Sequence, residues 1–266
     1  MRQRYTGRLL RRELLSASQQ CFHLEFAVDA VEQLAFEPGQ FISCVATDER
    51  GKQQTRAYSL ASAPRENRFE LCLNRVDGGF FSNFLCDLVP GDLLEFDEPM
   101  GTFTLQSDAA RHQVENLFIA TGTGVAPIRG FVEWLFPDGT SARRPETQFT
   151  LIYGTRHATE LYYREYFEET ARRFPNFRYL PTLSRADETW GGLRGYVQEQ
   201  AARLMEACRP EGPAPGADSQ QQGATDRGPF DRYAYVCGFR DMITATRERL
   251  SSLGWARRQI IAERYD

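Results

Sequence analysis

Asn116-Leu117-Phe118-Ile119-Ala120-Thr121-Gly122-Thr123-Gly124-Val125-Ala126-Pro127 is where the chain changes character. Its apolar start reads as a strand buried on both faces, as a parallel sheet requires. The strand runs into two glycines around a threonine, then into a helical stretch carrying Phe131, Trp134 and Leu135. Glycine lets a backbone approach a pyrophosphate closely, and the start of the following helix supplies unpaired N–H donors. Pro127 falls in the first helical turn, where proline costs little and fixes the entry angle. It stands where the third glycine of G-x-G-x-x-G would be, so the loop differs from that dinucleotide fingerprint.

Downstream, strand and helix alternate. Strands are expected at Gln148–Tyr153, Phe177–Leu183, Arg232–Cys237 and Gln259–Ala262, with helices at Glu160–Arg173, Tyr196–Cys208 and Asp241–Leu253. Such βαβ alternation implies a parallel sheet covered by helices, with ligands beyond the carboxyl ends of its strands. The glycine loop, Gly154-Thr155-Arg156, Ser184-Arg185 and Cys237-Gly238 all fall at such ends. Residues 209–230, rich in Pro, Gly, Ala and Gln, have linker composition and read as a mobile surface insertion within this unit.

Upstream, the period is shorter. Cys21–Val28 places Phe22, Leu24, Phe26 and Val28 on one face, and strand-like runs follow at Gln40–Ala46, Thr55–Ala61, Arg68–Val76 and Asp92–Asp97. Pro38-Gly39 and Pro90-Gly91 are turns between them. Short strands at this spacing point to a small antiparallel barrel. Within it, Arg56-Ala57-Tyr58-Ser59 presents a guanidinium fork and a phenol ring on one strand face, suited to a ligand with phosphates beside a flat aromatic system. Asp77-Gly78-Gly79-Phe80-Phe81-Ser82 reads as a turn feeding a short helix, whose first N–H groups favour a phosphate.

The bulk numbers bound the function. Over 266 residues, 41% are apolar and 26% charged, as in a soluble globular protein of one or two domains. The net charge of −4 makes nucleic acid an unexpected partner. Lys52 is the only lysine, so the basic charge is nearly all arginine. The six cysteines, at 21, 44, 72, 86, 208 and 237, form no C-x-x-C pair, so no zinc or iron–sulfur site is readable and a reduced, cytoplasmic setting is expected. No metal site is expected. No stretch approaches the roughly 20 apolar residues of a membrane span, and the basic N-terminus lacks the apolar run of a signal peptide.

Together, Arg56-x-Tyr58-Ser59 and Gly122-Thr123-Gly124-x-x-Pro127 resemble the signatures of the ferredoxin/flavodoxin–NADP reductase family, bacterial type, and they stand in that family's order. The resemblance implies a β-then-α/β chain: an N-terminal six-stranded antiparallel FAD-binding barrel (1–107), then a parallel-sheet nucleotide-binding α/β domain (112–266). It implies that Arg56 meets the FAD pyrophosphate, that Tyr58 packs on the isoalloxazine, and that Ser59 sits near flavin N5. Leu73, Gly78, Gly79, Phe81 and Ser82 complete the implied FAD site, and Pro99-Met100-Gly101-Thr102-Phe103 resembles the motif that closes the barrel. Thr121, Gly122, Thr123, Gly124 and Pro127 are implied to hold the pyridine nucleotide. Arg156, Ser184 and Arg185 match phosphate-binding positions of NADPH-using members, with Arg194 as a candidate third contact because Tyr196 stands where some members have arginine.

Cys237-Gly238-x-x-x-Met242 resembles the segment beside the nicotinamide, with Phe239 in place of the common proline. The tail Glu263-Arg264-Tyr265-Asp266 resembles the terminal segment in which a glutamate lies near the active centre and an aromatic covers the flavin. The catalytic candidates are therefore Ser59, Cys237 by position rather than as a nucleophile, and Glu263. The implied reaction moves hydride between NADPH and FAD and single electrons to or from a ferredoxin or flavodoxin. Arg65, Arg68, Arg75, Arg240 and Arg247 are candidate docking charges for such a carrier, and a monomer is expected. The alternatives are the NAD(P)H-dependent reductase component of an oxygenase system, a flavin-binding subunit without pyridine-nucleotide chemistry, and a dehydrogenase without flavin.

Overall fold

A computed structural model describes residues 3–106, 115–207 and 232–265; the expected insertion at 209–230 and Cys208 lie outside the described residues. Six strands, β1 (Arg4–Ser16), β2 (Cys21–Ala27), β3 (Phe41–Thr47), β4 (Gln53–Ser59), β5 (Arg68–Asn74) and β6 (Leu93–Met100), form one sheet in the order β4-β3-β6-β1-β2-β5. Every pairing in it is antiparallel. The sheet's two edges meet beyond β4, where Leu60 bridges Leu71 and the Ala61 N–H donates to the Glu70 carbonyl at 2.8 Å. That contact closes the barrel at one point. Leu9, Leu24, Phe26, Phe69, Leu71, Leu94 and Phe96, all fully buried, fill the interior.

Five of these strands match the sequence expectation within a few residues; β1 does not announce itself in the sequence. It carries four arginines and a glutamate, is largely exposed beyond Leu9, and breaks register twice against β2, so no clean alternation survives. One helix, α1 (Phe80–Asp87), follows β5.

The second sheet holds β7 (Glu115–Thr121), β8 (Gln148–Thr155), β9 (Phe177–Leu183), β10 (Leu193–Arg194), β11 (Ala234–Phe239) and β12 (Ile260–Tyr265) in the order β10-β9-β8-β7-β11-β12. All its pairings are parallel. The helices are α2 (Val125–Leu135), α3 (Arg164–Arg173), α4 (Val197–Ala207) and α5 (Arg240–Ser252). Strand β7 shows why its apolar run is continuous. Phe118 and Ala120 face the core beneath α2 and α3, while Leu117 and Ile119 face the core beneath α4 and α5. Among the described residues, no helix is long and apolar enough to cross a membrane.

Two expectations are corrected. The helix expected from Glu160 begins at Arg164, because Ala158–Glu160 forms a 3-10 turn and Tyr163 takes a left-handed backbone conformation (φ 58°). The last strand does not stop at Ala262 but continues to Tyr265, pairing Cys237 with Glu263 and Phe239 with Tyr265. The barrel and the parallel sheet share a core: Cys21, Ala61, Cys72 and Phe103 pack with residues of α2 and β7. Phe103 lies 5.4 Å from Phe131 and 6.2 Å from Tyr235, ring centre to ring centre.

Candidate functional site

A wedge opens in the barrel where β4 and β5 diverge from the Leu60–Leu71 bridge. Had the antiparallel ladder continued, Tyr58 would face Leu73 and Arg56 would face Arg75; instead the strands separate. Tyr58 is half-buried, with its ring 6.4 Å from that of Phe81 in α1, so the helix partly roofs the wedge. Burial and the neighbouring cysteines push the Tyr58 phenol pKa up. Arg56 lies further out and is exposed; its guanidinium donates only to the adjacent Thr55 carbonyl, at 2.9 Å, among the described residues. Gly78 is exposed with open space around it, and Gly79 is the N-cap of α1, which has no side-chain capping bond. The first N–H groups of α1 are thus unspent, and an unpaired arginine stands nearby. This donor set fits an anionic ligand carrying a flat ring.

Two expected residues take humbler places. Leu73 is buried in the barrel core, so only its backbone borders the wedge. The Ser82 hydroxyl is buried, accepting from the Val76 N–H at 3.0 Å, which leaves its backbone N–H for a phosphate.

At the inner end of the wedge the two halves touch. Buried Ser59 ends β4, and its Oγ donates to Oε1 of Glu263 on β12. Burial raises the Glu263 carboxyl pKa, and the Ser59 hydrogen bond pulls it partly back. Cys237 is fully buried beside Glu263, and burial together with that carboxyl pushes its thiol pKa far up. Tyr265 ends the same strand as Glu263 and lies close enough to Ser59, Cys237 and Glu263 to interact with all three. Ser59, Cys237, Glu263 and Tyr265 therefore form one cluster.

The glycine loop borders this cluster. Gly122 takes φ 53°, Gly122–Gly124 forms a 3-10 turn, and α2 follows at once. Fully buried Tyr153 props the loop by donating to the Gly122 carbonyl at 3.0 Å. A side chain at Gly124 would collide with the Cys237 carbonyl, so glycine there lets the loop lie on the end of β11. Met242 packs against Gly238, while Pro127 is buried inside the first turns of α2 and serves the helix rather than the surface. Thr121 Oγ1 is buried without a hydrogen-bond partner among the described residues. An orphaned hydroxyl at a loop of this kind fits a polar ligand group arriving from outside.

At the ends of β8 and β9, the Ser184 N–H donates to the Thr155 carbonyl and the Arg185 N–H to the Arg156 carbonyl, each at 3.0 Å. Arg156 and Arg185 are exposed, and neither guanidinium has an ion-pair partner among the described residues. Arg194 is different. It donates to the carbonyls of Ala186, Asp187 and Trp190 at 3.1, 2.7 and 2.8 Å, so it staples its own loop and is not a free third contact. Of the candidate docking arginines, Arg68 pairs with Glu25 and Arg75 with Asp87, while Arg247 borders a separate hollow with Arg257 and Arg258.

Sequence reading missed a polar network across the seam. Arg129 of α2 bonds Glu70 of β5, and its guanidinium lies over the rings of Tyr163 and Tyr166 at 4.9 and 5.3 Å. The Tyr163 hydroxyl meets His23 Nδ1 at 2.9 Å. The i,i+4 pair Arg129/Glu133 was visible in the sequence, but nothing there names Glu70 as the partner.

An FAD-binding barrel with a pyridine-nucleotide α/β unit is the class that this geometry defines. Known proteins agree. Residues 6–105 match the family model described as the oxidoreductase FAD-binding domain, and residues 118–248 match the oxidoreductase NAD-binding domain. The chain is 35% identical to ferredoxin–NADP reductase B of Sorangium cellulosum, over 87% of this chain and 86% of that protein. It is also 35% identical to the reductase component of phenol 2-monooxygenase from a Pseudomonas species, over 63% of this chain but only 46% of that protein. The crystal structure of a Neisseria gonorrhoeae ferredoxin–NADP+ reductase with bound FAD and NADP superposes with a TM-score of 0.75 over 98% of both chains, at 19% identity, which speaks for the fold. The chain belongs to the ferredoxin–NADP reductase family of FAD- and NAD(P)-binding oxidoreductases.

Proposed function

We propose that the chain is a ferredoxin/flavodoxin–NADP+ oxidoreductase. When bound, FAD supplies the step from a two-electron hydride donor, NADPH, to a one-electron carrier. The observation that carries the nucleotide preference is the Arg156–Arg185 pair. Two unpaired guanidinium groups stand on backbone segments hydrogen-bonded to each other. They suit a 2′-phosphate, whereas a free 2′-hydroxyl is usually read by an acid.

In this reading Arg56 and the start of α1 hold the FAD phosphates, and Tyr58 and Tyr265 flank its ring system. Thr121 to Gly124 and Gly238 seat the pyridine nucleotide. Glu263 accepts the Ser59 hydroxyl hydrogen and so fixes the direction of that hydroxyl, while buried Cys237 fixes the floor of the site by shape. The barrel covers residues 1–107 and the α/β domain 112–266, and the protein works as a cytoplasmic monomer. The near end-to-end match to the Sorangium protein supports the choice of carrier.

The second reading is the reductase component of an oxygenase system, favoured by the equal identity to the phenol 2-monooxygenase component, although the chain spans about half of that protein. Anaerobic reduction with NADPH, followed by mixing with ferredoxin, flavodoxin or a quinone, separates the two. Rapid reoxidation by ferredoxin or flavodoxin is expected. Reoxidation by the quinone alone would overturn the carrier assignment.

A further inference from the structure

Helix α2 begins at the glycine loop, and one of its faces is bolted to the barrel at the segment that follows Ser59. Arg129 donates to the Ala61 carbonyl at 2.5 Å and also binds Glu70. One turn on, Glu133 accepts the Ala63 N–H at 3.0 Å. Between them Gly130 lies so close to Ser62 that a side chain would come within 2.8 Å of its carbonyl oxygen. Three consecutive residues, Ala61 to Ala63, are thus held by three positions on one helix face. The Arg129 side chain is only 14% exposed, with Glu70 at 12%. Tyr163 and Tyr166 cover the guanidinium from the α/β side.

The geometry points to Arg129 as a positioning residue: with Glu133 it fixes the spacing between the glycine loop and Ser59, and hence the alignment of the two bound rings. The inference rests on the reading of these two sites as holding pyridine nucleotide and flavin. It adds that residues outside both sites help to set their mutual distance. Ser59 and Glu263 join the halves at the end of β4, and Arg129 joins them again two residues further along, at Ala61. Removing the Arg129 join frees Ala61 to Ala63 from α2, while the Ser59–Glu263 bond, the His23–Tyr163 bond and the shared core still hold the halves together. Hydride transfer is steep in alignment, since a misplacement of about 1 Å costs about 100-fold in rate. Binding of each ligand to its own half is not.

The test compares wild type, Arg129→Met, Arg129→Lys and Glu133→Gln, each purified with FAD. Amide exchange of Ala61 to Ala63 reports the clamp without any turnover, and stopped-flow bleaching of the flavin by saturating NADPH reports alignment. Arg129→Met is expected to retain FAD, to bind NADPH within about threefold of wild type, to exchange Ala63 faster, and to bleach about 100-fold more slowly. Arg129→Lys restores part of the rate. Wild-type bleaching rates in a variant with faster exchange would overturn the inference, as would slow bleaching explained wholly by lost FAD or NADPH affinity. Should Arg129→Met fail to fold, Glu133→Gln decides by the same two readouts. Wild type that never bleaches with NADPH would sink the functional reading instead.

Discussion

Ser59 of the barrel donates its hydroxyl hydrogen to Glu263 of the last strand, 204 positions away, and this bond joins the two halves at the inner end of the wedge. The carboxyl's pKa lies above its ordinary value of 4.5 because burial outweighs the serine bond. Above pH 4.5 the folded state therefore holds more of this proton than the unfolded state, so stability falls as pH rises through the window up to the raised pKa. Glu263→Gln is neutral at every pH and removes that slope. Melting both proteins across this range should show the wild-type Tm dropping relative to the variant and the gap levelling off beyond the raised pKa. Parallel curves would show that Glu263 titrates normally.

Arg185→Ala should weaken NADPH selectively. A hydrogen bond to a charged group contributes about 1.5–3 kcal/mol, so the loss in kcat/KM for NADPH is expected at about 10- to 150-fold, with NADH changed little. Arg156→Ala should act the same way, since its backbone is tied to that of Arg185. Equal losses with both nucleotides would show that the pair does not read the 2′-phosphate.

Arg56→Ala should separate binding from folding. Its side chain is exposed and bonds only the Thr55 carbonyl among the described residues, so the FAD-free protein should melt within about 0.5 kcal/mol of wild type. FAD release on dilution should nevertheless increase by about 10-fold or more. Unchanged retention would remove Arg56 from the phosphate site.

The sequence made much of this site legible because local rules govern its parts. A strand running into Gly-Thr-Gly at 122–124 has few other uses, and alternation placed Arg56 and Tyr58 on one face. What stayed hidden depends on contacts between distant segments. Nothing near Arg129 marks Glu70 as its partner, and nothing near Arg194 shows that its donors are spent on Ala186, Asp187 and Trp190. The reach of β12 to Tyr265 was hidden for a similar reason. Glu263-Arg264-Tyr265 is polar, and only pairing with β11 makes it a strand.

Gly130→Ala sets two effects against each other. In a helix interior alanine is favoured over glycine by about 1 kcal/mol. Here the new methyl would stand 2.8 Å from the Ser62 carbonyl oxygen and 3.2 Å from its carbon, and both are backbone atoms that cannot swing aside. Overpacking of this kind costs about 1–3 kcal/mol, so the clash should win. The variant is expected to melt below wild type and to bleach more slowly with NADPH, because relief of the clash moves α2 and its glycine loop away from Ser59. Gly191→Ala, with no atom within 4 Å of the added carbon, is the matched control and should change neither property. A Gly130→Ala protein as stable and as fast as wild type would mean that the seam between the halves is softer than the contacts along α2 imply.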